Sequence, residues 1–235
     1  MPRLVTLIPL LCALFTSNAQ ADGLVQITIE GTLNREGGAR VELDLGAFHP
    51  AHEQLREMSV SLFLAERTTA ADVAALFASR ISDAGFKVIA PAPTVTDKVK
   101  RAQIFVEHAV LVSLRLGSGL SGTITTCDDV PVSVRVLRPE LEALDARFSA
   151  TISTFNQHSE EYGQHSLTLD VPKKMNTTEI AGELFKKSLT QDWLAERPGT
   201  DGWRPTKMAD GAIIRGFSAS VSSQGDWKLE IRLAQ

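Results

Sequence analysis

The sequence predicts an α+β fold: two similar small modules, each an antiparallel sheet with hairpins and one main helix packed on a face. Three observations carry this expectation. Apolar and polar residues alternate with a period of two in many short segments. Two stretches have the apolar spacing and end signals of helices. The order of strands, helix and Gly/Pro-rich stretch in the first half returns in the second.

A leader comes first. Arg3 supplies a short basic start, Leu4 to Phe15 is apolar apart from Thr6 and Pro9, and Ala19-Gln20-Ala21 fits the small-x-small cleavage pattern. Residues 1–21 are therefore expected to be a signal peptide, with the mature chain starting at Asp22. The apolar run is too short to cross a bilayer, and no later one is long enough, so no membrane span is expected. Cys12 leaves with the leader. Leu10-Leu11 precede it where lipid attachment needs small residues. Cys127 is then the sole thiol of an exported chain, so no intrachain disulfide is expected; it reads as a small buried hydrophobe, the alternatives being a nucleophile or an intermolecular bridge.

The strands follow in order. Val25, Ile27 and Ile29 alternate with Gln26, Thr28 and Glu30; Val41, Leu43 and Leu45 alternate with Glu42 and Asp44. The turn residues Asn34 to Gly38 between them make 24–45 read as a β-hairpin. Val60, Leu62 and Leu64 mark another strand. Ala109–Leu116 is expected to pair with Gly122–Val136, and Ala212–Val221 with Trp227–Leu233, as hairpins. Leu167, Leu169 and Val171 alternate with Thr168 and Asp170, within a hairpin spanning 150–171.

Thr68-Thr69 can cap a helix over 70–84, with Val73, Leu76, Phe77 and Ile81 on one stripe and Gly85 as its stop. Asn176-Thr177-Thr178 can cap a second over 179–194, and Glu179 stands where a capping box needs it. Asn176-Thr177-Thr178 also forms a glycosylation acceptor, but the cap explains it without one. Shorter helices are expected at Pro50–Met58 and Pro139–Phe148. The domain expectation is an α+β module over 22–138 and a second over 139–235, as in a duplication; the alternative is one α+β domain over 22–235.

Composition bounds the partners. The formal net charge is −4, one unit more negative without Arg3, and mixed in sign. Such a surface keeps a protein soluble and makes no footprint for nucleic acid. The apolar fraction of 43% is that of an ordinary globular chain.

Motifs that resemble chemistry lack their context. Gly117-Ser-Gly-Leu-Ser-Gly122 matches G-x-G-x-x-G after a strand, but the β-branched run Thr123-Ile-Thr-Thr126 follows where a helix must start. Neither Ser118 nor Ser121 has the flanking glycines of a nucleophile elbow. Asp128-Asp129 stands where a turn before Val130-Pro131 explains it. Among His49, His52, His108, His158 and His165, only His158 and His165 could face each other across a hairpin, with Glu160 or Glu161 nearby. They are the metal candidates, against a plain polar hairpin tip. Trp227 is in phase with a buried strand face. Trp203, beside Arg204 in a loop, could offer a stacking platform to a sugar or peptide, or fold back over the core.

No catalytic residue and no cofactor emerges from these patterns. The expected function is that of an exported, non-catalytic interaction, structural or adaptor protein of the cell envelope or extracellular space, using sheet edges to bind a protein or an envelope polymer. The alternatives are a secreted hydrolase with a dispersed active site and a carbohydrate or surface-polymer binder acting through Trp203 and Arg204.

Overall fold

The computed structural model describes residues 24–49, 54–89, 94–96, 99–127, 130–139, 144–223 and 227–234. The leader with its cleavage motif, His52 and Asp128-Asp129 lie outside the described residues, as do the side chains of His49 and Cys127.

Strand dominates. The first half contains β1 (Val25–Gly31), β2 (Ala39–His49), β3 (Gln54–Leu64), helix α1 (Ala70–Asp83), β4 (Val88–Ile89), β5 (Thr94–Thr96), β6 (Val99–Val106), β7 (Ala109–Arg115) and β8 (Leu120–Cys127). The second contains β9 (Ser133–Leu137), β10 (Ala146–Asn156), β11 (Glu161–Val171), helix α2 (Thr177–Leu189), β12 (Trp193–Glu196), β13 (Arg204–Met208), β14 (Ile213–Ser223) and β15 (Lys228–Arg232). One antiparallel sheet runs β11-β10-β14-β8-β1-β6-β4, with β5 also on β6. A second runs β3-β2-β7-β15-β9, and β12-β13 form a small ribbon.

This is a β-sandwich-like fold with two short helices, which corrects the expected α+β pair of modules. Each large sheet takes strands from both halves of the chain: β15 and β9 complete the sheet of β2, β3 and β7, while β8 and β1 join that of β10, β11 and β14. The error has one physical source. Alternation shows which residues share a face, but it does not name the neighbouring strand.

Three expected hairpins are accordingly arches between sheets. β1 pairs with β6 and β8, not with β2. β7 pairs with β2 and β15, and β8 with β1 and β14. β14 and β15 likewise lie in different sheets. The backbone of the first arch finds its partners in distant segments: Thr32 N donates to Gly119 O at 3.1 Å and Leu33 N to Thr68 O at 2.9 Å. True hairpins join β2 to β3 and β10 to β11, each over an unbroken register.

The expected helix at Pro50–Met58 is a strand from Gln54 onward, and that at Pro139–Phe148 is a strand from Ala146 onward. Long-range pairing overrides the local spacing of Leu55 with Met58 and of Leu144 with Phe148. The second helix stops at Leu189. Thr190 caps it, and Asp192 at φ 59 turns the chain into β12.

Apolar alternate positions meet between the sheets. Val41, Leu43, Leu45, Val112, Leu114, Leu229 and Ile231 lie on one inner face, and Ile27, Ile29, Ile124, Phe148, Ala150, Phe217 and Ala219 on the other, all in one core cluster. A Cβ on Gly122 would lie 2.4 Å from Leu114 Cδ2, so these two residues mark where the sheets press together. Both helices bury an apolar stripe in the same cluster, Val73, Phe77 and Ile81 on α1 and Ile180 and Leu184 on α2. Each starts with a capping box, Thr69 with Asp72 and Asn176 with Glu179.

The two halves correspond in register. The displacement that carries Ala39 onto Ala146 also carries its partner Leu64 onto Val171, cap Thr69 onto Asn176 and Asp72 onto Glu179. It relates the rows Val112–Ile231–Val134 and Ala219–Ile124–Ile27 of the two sheets, carrying Val112 onto Ala219, Ile124 onto Ile231 and Ile27 onto Val134. Each half thus supplies the same strands to opposite sheets.

Candidate functional site

Packing the apolar faces together leaves two outer faces, and their chemistry differs. On the five-stranded sheet the outer face is laced with ion pairs. Glu42 lies between Arg40 at 3.2 Å and Arg115 at 3.5 Å, and Glu230 between Arg135 at 3.2 Å and Arg232 at 3.1 Å. Arg135 also holds Asp201, and Asp44 accepts from Lys228 and from Ser59. The charges on this face meet opposite charges, some within one strand and some on another strand.

Asp44 makes the arrangement testable. Partial burial pushes its carboxyl up, but hydrogen bonds from Lys228 and Ser59 and the charges of Lys228 and Arg115 outweigh this and hold it below the ordinary 3.8. The folded protein therefore keeps this carboxylate ionised to lower pH than the unfolded chain does. Its stabilisation is fully present above about pH 4 and is lost as the pH falls through the folded-state value. Asp44→Asn is expected to be less stable than the parent at neutral pH, with the gap closing below about pH 4 in urea titrations. A gap of constant size from neutral to acid pH contradicts this role.

The outer face of the eight-stranded sheet is different. Ser149, Thr151 and Ser153 alternate along β10; Ser218, Ser220 and Ser222 along β14; Ser121, Thr123 and Thr125 along β8. Pairing aligns them in rows. One runs Ser166–Thr151–Ser218–Thr125–Gln26, and the next Thr168–Ser149–Ser220–Thr123–Thr28. Neighbouring strands stand about 4.8 Å apart, so hydroxyls and amides form a regular array of neutral donors and acceptors. Thr151 and Ser166 hydroxyls bond each other at 3.0 Å, and Gln26 Nε2 donates to Thr28 Oγ1 at 3.0 Å. Gln26, Thr28 and Thr125 in the middle are nearly covered, so the accessible part lies over β11, β10 and β14.

An aromatic pair closes one end of this face. Phe155 and Tyr162 are cross-strand partners with ring centroids 4.9 Å apart, and Tyr162 is 81% exposed. At the other end the exposed Arg147 and Asp170 pair at 2.8 Å beside Ser222, bordering an open groove floored by Ala146 and Val171. An exposed ring, neutral hydroxyl rows and one paired donor and acceptor therefore share one outer face.

The residues singled out from the sequence fall elsewhere. Trp203 is fully buried, within about 6 Å of the rings of Trp193, Phe148 and Phe217, and its Nε1 donates to Ser188 Oγ at 2.9 Å. It offers no face to a ligand. Arg204 approaches Glu196 at 3.5 Å on the ribbon. His158 sits in the exposed turn at the tip of the β10–β11 hairpin, whereas His165 stands opposite Ile152 along β11. The hairpin does not bring them face to face, and no three His, Cys, Asp or Glu side chains converge as a metal site among the described residues. Cys127 pairs through its backbone with Gly216.

The sequence reading missed Phe155, Tyr162 and the hydroxyl rows. Their signal was present: serine and threonine recur at every second position in 149–153, 218–222 and 121–125. A half-buried strand whose wet positions are all uncharged hydroxyls has the composition of a neutral surface, as distinct from a merely solvated one.

No protein-family model matches this chain, and no curated protein does. Among solved structures, a chain from work described as "Structural basis for the promiscuous specificity of the carbohydrate-binding modules from the beta-sandwich super family" aligns over 92% of this chain and 100% of its own. The identity is 9% and the TM-score 0.22, a likeness that carries no argument about fold or ligand.

Proposed function

We propose that this is an exported, non-catalytic binding protein that holds a neutral, hydroxyl-rich polymer, such as a polysaccharide of the cell envelope, against the outer face of its eight-stranded sheet. The observation that carries this reading is the set of uncharged hydroxyl rows across β10, β11 and β14, with the exposed Tyr162 toward the hairpin end of the same face. Hydroxyls both donate and accept, so they match sugar hydroxyls without dehydrating an ion. A tyrosine ring gives an apolar plane with a polar tip for the less polar face of a sugar. The hydroxyls over β10, β11 and β14 are accessible along the sheet surface, which suits an extended polymer better than a small molecule that needs enclosure.

Retention on columns of insoluble neutral polysaccharides tests the reading. The unmodified protein is expected to be retarded on at least one matrix, and Tyr162→Ala to weaken retention about tenfold, close to 1.4 kcal/mol. Thr151→Lys, which places an unpartnered charge among the hydroxyls, is expected to do the same. Absence of retention on every neutral matrix, or retention indifferent to both changes, counts against it.

A further inference from the structure

We propose that the chain self-associates, two copies pairing antiparallel through the free edge of β11. This strand ends the eight-stranded sheet and pairs only with β10 among the described residues. Its register with β10 runs unbroken from Ala146–Val171 to Asn156–Glu161, so no bulge twists the edge away. Residues Tyr162 to Leu169 contain no Lys, Arg, Asp, Glu or Pro. Proteins normally blunt an edge with one of these devices, because its unpaired N–H and C=O groups template another strand.

The other edges are treated differently. At the far end of the same sheet β4 and β5 are only two and three residues long. The β9 edge is covered where Val134 and Trp203 exchange backbone hydrogen bonds of 2.7 and 3.0 Å. β3 carries Arg56 and Glu57 on its exposed edge. The β3 edge also keeps an uncharged run, Met58 to Leu64, but charges of both signs flank it on each side, Arg56 with Glu57 and Glu66 with Arg67, whereas β11 is flanked by charges of one sign at each end.

Charge selects the occupant as a second copy. Exposed Glu160 and Glu161 stand at the start of β11, and exposed Lys173 and Lys174 just beyond its end. An antiparallel pairing centred on Ser166 sets the acidic end of each copy against the basic end of the other. A parallel pairing sets like against like. The same register puts Gln164 beside Thr168 of the second copy and Tyr162 beside Asp170, with no like charges opposed. The two hydroxyl faces then form one continuous surface. The pairing does not depend on the ligand of that surface.

Sedimentation of the purified full chain at increasing concentration tests the proposal. A dimer is expected. Lys173→Glu/Lys174→Glu and, separately, Glu160→Lys/Glu161→Lys should each raise its dissociation constant at least about tenfold. An equimolar mixture of the two variants should restore pairing, since acidic and basic ends then meet again. Ser166→Lys, at an exposed position that leaves the core untouched, should abolish the dimer with an unchanged circular-dichroism spectrum. A monomer at every concentration, a dimer insensitive to these changes, or a mixture that fails to pair each overturns it.

Discussion

Trp203→Ala is expected to cost the folded protein about 3–5 kcal/mol, the range for truncating a fully buried large aromatic. In a chain of this size that lowers the melting midpoint by roughly 6–20 °C. Two losses combine. The indole fills space among Trp193, Phe148 and Phe217, which belong to the ribbon and to the eight-stranded sheet. Its Nε1 satisfies Ser188, a fully buried serine on α2 whose own hydroxyl donates to Leu184 O at 2.7 Å. Its backbone pairing with Val134 at the β9 edge does not depend on the side chain and remains in the variant. Trp203→Phe keeps most of the volume but leaves the Ser188 acceptor without its donor, and should cost about 1–3 kcal/mol. Urea unfolding of the two variants separates packing from hydrogen bonding. A cost for Trp203→Ala below about 1 kcal/mol would falsify the account of Trp203 as a core element.

Gly31→Ala is the second large effect expected, about 2–5 kcal/mol, from two additive causes. Gly31 lies at φ 97, a conformation that an alanine adopts only under strain, and an added Cβ would stand 2.3 Å from the backbone oxygen of Gly119. That oxygen is not free to retreat, because it accepts from Thr32 N at 3.1 Å. Here β1 leaves the eight-stranded sheet and the chain crosses to β2. Gly37→Ala provides the contrast: φ is 78, yet nothing lies within 4 Å of the added carbon, so strain alone remains, worth about 1 kcal/mol. If both variants melt together, the crossing at Gly31 is looser than the contacts imply.

Local signals were read correctly where a few neighbouring residues settle the matter. Thr69 and Asn176 cap their helices, and Val73, Phe77, Ile81 and Leu184 face the core, although Leu76, expected on the first stripe, is exposed. The inward positions of β1, β2, β7 and β15 are the apolar ones of their alternations. What was misread is pairing. Asn34 to Gly38 has turn chemistry, and turn chemistry serves a hairpin and a sheet-to-sheet arch equally well. The site failed for a related reason. Trp203 drew attention as a loop aromatic, but a loop position does not state whether the ring turns outward. Tyr162, the residue with the exposed ring, stands in a strand among serines and threonines that become a surface only when β10, β11 and β14 lie side by side.

By itself the sequence determined the faces of the strands and the caps that start both helices, because these follow from side-chain period and from capping over a few residues. Only the tertiary structure decided that the halves share their sheets, that one outer face is ionic and the other hydroxylic, and that Trp203 is sealed while Tyr162 is exposed. Those outcomes depend on which distant strands become neighbours. That choice is made by the fit of whole apolar faces across the core, and no local pattern records it.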